Sequence, residues 1–286
     1  MIFFENNKIT CQDYTVSNEK FELVYNIKLE LLETFPQPKI EDLGKYYESV
    51  DYISHTDSKK SVIDKLYQVV KGYALNQKLK LINSFKTEEK NILDVGCGTG
   101  DFLLKCKNNG WNVVGVEPNS NAYSLAETKL SKIKTSKIFS DITEITSEKF
   151  DVITLWHVLE HVPNLSEYIS KLKYLLKPNG VLVIAVPNYK SYDASYYKQF
   201  WAAFDVPRHL WHFSKKSIQL LFSAQQMNVV KILPMKFDSF YVSLLSEKYK
   251  NCKNNFVKAF CIGFLSNLKA MGTKEYSSLI YVIKKT

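Results

Sequence analysis

An open α/β fold, with a mostly parallel sheet covered by helices on both faces, is what this sequence predicts. Three observations carry that reading. The apolar run Ile92, Leu93, Asp94, Val95 stops at Gly96, Gly98 and Gly100 and is followed by the helical Phe102, Leu103, Leu104: a buried strand, a tight loop, a helix start. Apolar strand-like runs then alternate with helical stretches, as a parallel sheet requires. Acidic residues fall at or near the ends of the first three of those runs, the edge on which open α/β sheets bind ligands.

Residues 1–57 lack strong periodicity and are expected to form an N-terminal extension, with 58–286 as the main domain. Within the extension, 27–32 is mostly apolar and reads as helix or strand, and Phe35-Pro-Gln-Pro38 is a break. Residues 46–60 carry Tyr46, Tyr47, Tyr52 and His55, which either pack on the main domain or form a lid over a pocket. From 61 to 85 apolar residues recur at helical spacing, with Thr56 or Asp57 as candidate caps. This predicts one or two helices leading into the core strand.

After the glycine loop, 111–116 reads as a strand ending at Glu117, and Pro118-Asn119-Ser120 leads into a helix to 130. A third short strand, 136–139, is followed by Asp141 and Ile142, and 150–156 is a fourth, apolar but for Asp151 and Thr154. A helix over 165–176, a turn at Lys177-Pro-Asn-Gly180 and a strand over 181–186 follow. Residues 228–233 and 277–283 read as the last two strands.

Composition bounds the remaining possibilities. At 286 residues the chain accommodates one large domain with additions or two small ones. No segment approaches the roughly 18 consecutive apolar residues of a membrane span, and the start, MIFFENNK, has no basic leader. The five cysteines, Cys11, Cys97, Cys106, Cys252 and Cys261, show no C-x-x-C pair, which points to a reduced, cytoplasmic protein without a cysteine-held metal. The net charge of +9 comes from lysines spread along the chain, so nucleic acid is not expected as a partner. Arg208 is the only arginine, which suggests that its planar fork is needed where it stands.

The spacing G-x-G-x-G, with Asp94 on the strand before it, differs from the dinucleotide pattern G-x-G-x-x-G. A carboxylate there suits a cationic ligand and would repel a pyrophosphate. At these residues the chain resembles the class I S-adenosylmethionine (SAM)-dependent methyltransferases, in particular the small-molecule, ubiquinone-biosynthesis-like O-methyltransferases. The resemblance implies a Rossmann-like, seven-stranded sheet with one antiparallel strand, covering about 91–286. It also implies that Asp94, Gly96, Cys97, Gly98 and Gly100 hold the amino-acid end of SAM, that Glu117 with Pro118 holds the ribose, and that Asp141 and Ile142 hold the adenine, with Trp156 and His157 completing the pocket.

Beyond the fourth strand lies WHVLEHVPN. His157 and His161 are four apart and share a face on a helical turn, with Glu160 beside them. Either His161 packs beneath the next helix, or His157 faces the cofactor and His161 the substrate. The cluster could also bind a divalent metal: it is similar to the metal-binding cluster of some small-RNA O-methyltransferases, but His157 stands in place of its first acid, which counts against magnesium, and no residue is assigned as a metal ligand. Residues 188–226 form an aromatic insertion on the substrate side, holding Arg208, His209 and His212 among tyrosines, phenylalanines and tryptophans. A mini-core under a loop accounts for part of that segment. Phe237, Phe240 and Tyr241, in a further insertion reaching to 268, line the pocket or pack in the core.

The expected function is methyl transfer from SAM to a small-molecule hydroxyl, with His161 or His209 as base. Arg208 would hold a substrate anion or else a structural carboxylate. Rival readings are an RNA or protein methyltransferase, a SAM-binding partner protein without turnover, and, last, a nicotinamide oxidoreductase. Neither the substrate nor the oligomeric state is legible.

Overall fold

Three short strands begin the chain: β1 (Lys8–Gln12), β2 (Lys20–Asn26) and β3 (Leu31–Phe35), paired as an antiparallel meander. The computed structural model describes residues 8–47, 62–131, 136–253 and 255–286, and of 62–69 only the backbone. Tyr52, His55, Thr56 and Asp57, named above as lid or cap residues, lie outside the described residues. The meander alternates as a half-buried strand does: Phe21 and Leu23 point inward while Lys20 and Glu22 face solvent or the rim. The β1–β2 turn is organised by Asp13, whose carboxylate accepts from the backbone N–H groups of Thr15, Val16 and Ser17. A 3₁₀ segment, Ile40–Tyr47, follows and buries Tyr46.

One long helix, α1 (Val62–Asn83), leads into β4 (Asn91–Val95). Then come α2 (Asp101–Lys107), β5 (Asn112–Val116), α3 (Ser120–Leu130), β6 (Lys137–Phe139), β7 (Phe150–Trp156), α4 (Leu165–Leu175) and β8 (Leu176–Pro187). The aromatic segment contributes α5 (Tyr192–Tyr197), two 3₁₀ turns and the two-residue β9 (Trp211–His212). The chain ends with α6 (Lys215–Ala224), β10 (Met227–Pro234), α7 (Asp238–Asn251), α8 (Phe256–Thr273) and β11 (Ser278–Lys285).

The main sheet has the order β10-β11-β8-β7-β4-β5-β6, with β11 antiparallel to both neighbours and the other described pairings parallel. This is the seven-stranded sheet with one antiparallel strand. Both its faces are buried, because residues alternate between two apolar layers. Leu93, Ile153, Leu182 and Ile184 pack with α4 and α6 on one face, whereas Ile92, Val113, Val152 and Val183 pack with α1, α2 and α3 on the other.

A second core lies beside the first. The strands β1-β2-β3-β9 form a four-stranded antiparallel sheet, and Phe21, Leu23 and Leu32 pack there against Tyr197, Trp201 and Phe204. The N-terminal extension is therefore sheet, completed by a strand nearly 180 residues away. Most of the aromatic segment is used in this second core and does not line an open pocket: Tyr197, Trp201 and Phe204 are each almost fully buried. Asp193 anchors it, accepting from Trp201 Nε1 at 2.8 Å, Ser266 Oγ at 2.6 Å and Ser277 Oγ at 2.6 Å.

Candidate active site

The glycine loop bends because three residues take left-handed backbone angles: φ is +69° at Gly96, +53° at Gly98 and +78° at Gly100. At Gly96 a Cβ would also lie 2.4 Å from Val158 Cγ2, so loop and β7 exit can approach only without a side chain. The N–H groups of Gly96 and Cys97 both point to the Val116 carbonyl, at 2.8 and 3.0 Å, and that of Gly98 donates to Glu117 Oε2 at 2.7 Å. These three amides are thus already satisfied by the protein, unlike those of a phosphate cradle. The Cys97 side chain is buried beside Gly115, and its thiol is pushed up by burial.

Three acids stand at the tips of adjacent strands. In the parallel register Val95 lies opposite Val116, and Val116 opposite Phe139, so Asp94, Glu117 and Asp141 follow one another across β4, β5 and β6. Strand spacing of about 4.8 Å sets β4 and β6 about 10 Å apart, and Asp94 precedes the Val95–Val116–Phe139 level by one residue whereas Asp141 follows it by two. Asp94 is buried and accepts a 2.6 Å hydrogen bond from Thr154 Oγ1, its partner in register on β7. Burial raises Asp94 to about 7, partly offset by Thr154 and the Lys78 ammonium and reinforced by Glu117. Burial likewise raises Glu117, against its hydrogen bonds from Asn119 and Gly98. Asp141 is exposed and caps a 3₁₀ turn through the Thr143 N–H, while Ile142 beneath it is buried. Pro118 is exposed between Glu117 and the cap of α3.

On the far side of β4, Trp156 ends β7 with its ring 4.4 Å from Lys78 Nζ and edge-on to Phe102. His157 follows at φ +59°, a strained angle for a non-glycine residue of the kind found at functional sites. Its Nε2 lies 3.1 Å from Asp238 Oδ2 and its Nδ1 3.3 Å from Glu160 Oε1. Burial would lower His157, but the two carboxylates outweigh it and raise the imidazole to about 10, so it is a cation at neutral pH.

Next to it, Glu160, His161 and His209 converge, with one ligand atom from each lying within 4.8 Å of the others. His161 Nδ1 is 3.0 Å from the Arg208 carbonyl and 3.0 Å from the Tyr47 hydroxyl, and His209 Nδ1 is 2.9 Å from the Ala203 carbonyl. A carbonyl only accepts, so both Nδ1 atoms carry the proton and both Nε2 atoms present lone pairs. Glu160 Oε2 is buried with no donor among the described residues. The cluster therefore holds three acceptors, Glu160 Oε2 and the two Nε2 atoms, which a proton, a polar substrate hydrogen or a cation would satisfy. Burial, with His209 beside it, lowers His161 to about 4, while the hydrogen bond and charge of His157 hold Glu160 below its ordinary range against burial.

Arg208 is occupied elsewhere. Its guanidinium donates to Asp205 at 2.6 and 3.0 Å, to Asp13 at 3.0 Å and to the Tyr46 carbonyl at 2.9 Å. Of the two expectations for this side chain, the structure favours the structural carboxylate over a substrate anion. His212 is also structural, buried with Nε2 3.0 Å from Thr34 Oγ1. Sequence reasoning missed Lys78, Asp205 and Asp238. Thr154 carried a signal, a polar residue in an otherwise apolar strand; Asp238, from a distant helix, carried none.

Comparison with known proteins places this arrangement. A family profile described as a methyltransferase domain matches residues 49–232. A ubiquinone biosynthesis O-methyltransferase of Rickettsia felis is 29% identical over 151 residues, 50% of this chain and 61% of that protein. One from Histophilus somni is 34% identical over 109 residues, 35% of this chain and 46% of that protein. The match thus spans less than two thirds of either relative's length. Among solved structures, magnesium protoporphyrin IX methyltransferase from Synechocystis PCC 6803 with bound S-adenosylhomocysteine superposes with TM-score 0.56 at 15% identity, covering 84% of this chain and 97% of that one. Mycolic acid cyclopropane synthase CmaA1 gives 0.52 at 16%, covering 73% and 83%. The seven-stranded sheet, the glycine loop with its row of acids and the profile match agree: the chain belongs to the methyltransferase-domain family and has the fold of the class I SAM-dependent methyltransferases.

Proposed function

We propose that this protein binds SAM across the tips of β4, β5 and β6 and catalyses transfer of its methyl group to a hydroxyl oxygen of a small molecule. The row Asp94, Glu117, Asp141, beside a loop whose amides are already satisfied, carries the reading. The names of the relatives, O-methyltransferases of ubiquinone biosynthesis, support an oxygen acceptor. SAM supplies an electrophilic methyl on a sulfonium, so the protein's work is placement, exclusion of water and one proton transfer. Asp94 would take the ammonium of the methionine end, Glu117 the ribose diol, and Asp141 with Ile142 the adenine. His209, whose Nδ1–H faces the Ala203 carbonyl, would accept the acceptor's hydroxyl proton at Nε2, with neutral His161 beside it. Calorimetry with SAM tests the cofactor claim: micromolar binding by the wild type and at least tenfold weaker binding by Asp94→Asn and Glu117→Gln are expected. Undiminished binding by both variants would remove it. Binding without turnover of any phenolic or alcoholic acceptor would favour a SAM-binding partner protein.

A second reading rests on the orphaned Glu160 Oε2. One carboxylate and two imidazole nitrogens are a suitable donor set for a divalent transition ion. Glu160, His161 and His209 would hold it, and it would acidify a bound hydroxyl. Tight zinc or manganese binding by calorimetry, abolished in Glu160→Gln, would establish this reading; no heat with either ion would exclude it.

A further inference from the structure

Helix α8 is built inside out. Its buried positions are Ala259, Ile262, Gly263, Ser266 and Ala270, mostly small or polar. Its large apolar side chains face outward: Phe256, Phe260, Phe264, Leu268 and Met271 are each 51–63% exposed. Those positions recur at three- and four-residue intervals, one stripe along the helix about 22 Å long. The inner face explains the inversion. A Cβ on Gly263 would sit 2.9 Å from Phe240 Cα, so α7 and α8 touch backbone to backbone. Ser266 is taken by Asp193. Large residues cannot fit inward, yet a water-facing helix has no reason to carry them outward; contiguous apolar patches of this kind mark interaction surfaces. Phe237, just before α7, and Tyr241 within it are also half exposed, and Phe240 of α7 stacks on Phe260 of the stripe.

Charge identifies the partner. Residues 236–274 contain seven lysines and two acids, Asp238 and Glu247. Both acids are withdrawn: Glu247 is fully buried and paired with Lys258, and Asp238 is paired with His157. An apolar stripe rimmed by cations is the pattern of a helix lying in a headgroup layer, with phenylalanines below and lysines reaching up to phosphates. A symmetric pair of copies meeting on this face would set one lysine rim against the other. Among the described residues no helix is long and apolar enough to cross a membrane, so α8 would lie on it.

We propose that α8, with the start of α7, docks this protein on an anionic lipid surface. The docking needs no methyl transfer. Together with the function proposed above, it has a consequence: Asp238 at the head of α7 touches His157 at the β7 tip, so the docked face adjoins the candidate active site and an apolar acceptor could enter from the bilayer.

Flotation with phosphatidylcholine vesicles containing about 30% phosphatidylglycerol tests this. The wild type is expected to float with them, roughly tenfold less with pure phosphatidylcholine, and less as salt rises. Phe260→Ser with Phe264→Ser should abolish flotation while leaving circular dichroism and SAM binding unchanged, because both side chains are exposed. Lys253→Glu with Lys269→Glu should lower it at least fivefold. Wild-type protein remaining unbound with anionic vesicles would overturn the proposal. So would serine variants that float as well as the wild type, or that only convert a dimer to a monomer in sedimentation.

Discussion

At the scale of single residues, Asp94 and Arg208 show how burial assigns different tasks to charge. Asp94 is raised to about 7, chiefly by burial, so folding favours its neutral form and that contribution is lost as pH rises through about 7. A cationic ligand reverses the preference. SAM affinity is therefore expected to rise between about pH 6 and 8 and to be nearly flat for Asp94→Asn, read by calorimetry with proton release on binding resolved in two buffers. Arg208 and Asp13 are a buried pair, and removing one partner leaves the other unmatched. Arg208→Met should destabilise by about 3–5 kcal/mol in urea unfolding. Burial alone would raise Asp13, but the N–H of Ser17, the guanidinium and Thr15 hold it well below the usual range, so its contribution is present above about pH 4 and is lost as pH falls. The need for one arginine was legible in a chain otherwise basic through lysine. Its partners were not, because Asp13 is 195 positions away.

At the scale of elements, the glycine loop and the inverted helix are both defined by what a Cβ would meet. Gly96→Ala adds a left-handed strain of about 1–2 kcal/mol to a clash with Val158, and should lower both melting temperature and SAM affinity, whereas Gly110→Ala has strain alone and should leave SAM affinity unchanged. Strands β4 to β7, β8 from Val181 onward, β10 and β11 were readable because each is an apolar run bounded by turn residues, whereas the start of β8, 176–180, read as a helix end and a turn. Strands β1 to β3 were not readable, because they are short and the alternation in Lys20–Asn26 is broken by the adjacent Leu23, Val24 and Tyr25. Strand β9 has two residues, too few for any periodicity. The aromatic segment read mainly as a substrate-side pocket wall, with a mini-core accounting for part of it, since composition does not say which side of a ring meets solvent; Asp193, with three buried donors, makes most of it core.

At the scale of the molecule, the His157–Asp238 pair joins the methyltransferase sheet to the α7–α8 unit. Folding raises His157 to about 10, so its stabilising contribution is full below about pH 6.5 and fades as pH rises through 10. Asp238→Asn should bring the His157 titration back toward neutrality, followed by imidazole proton resonances, and should loosen α7 as seen by faster amide exchange there. An unchanged titration would mean that Glu160 alone holds the proton.

Local order and ligand chemistry were determined by the sequence itself: the run of strands and helices, the glycine loop, and acids at three successive strand ends. These are readable because backbone preference and burial repeat over neighbouring residues. Tertiary structure alone decided the partners of Arg208, the convergence of Glu160, His161 and His209, the second sheet, and the outward face of α8. Each depends on side chains meeting across tens to hundreds of residues, where charge and packing act through space and leave no period along the chain.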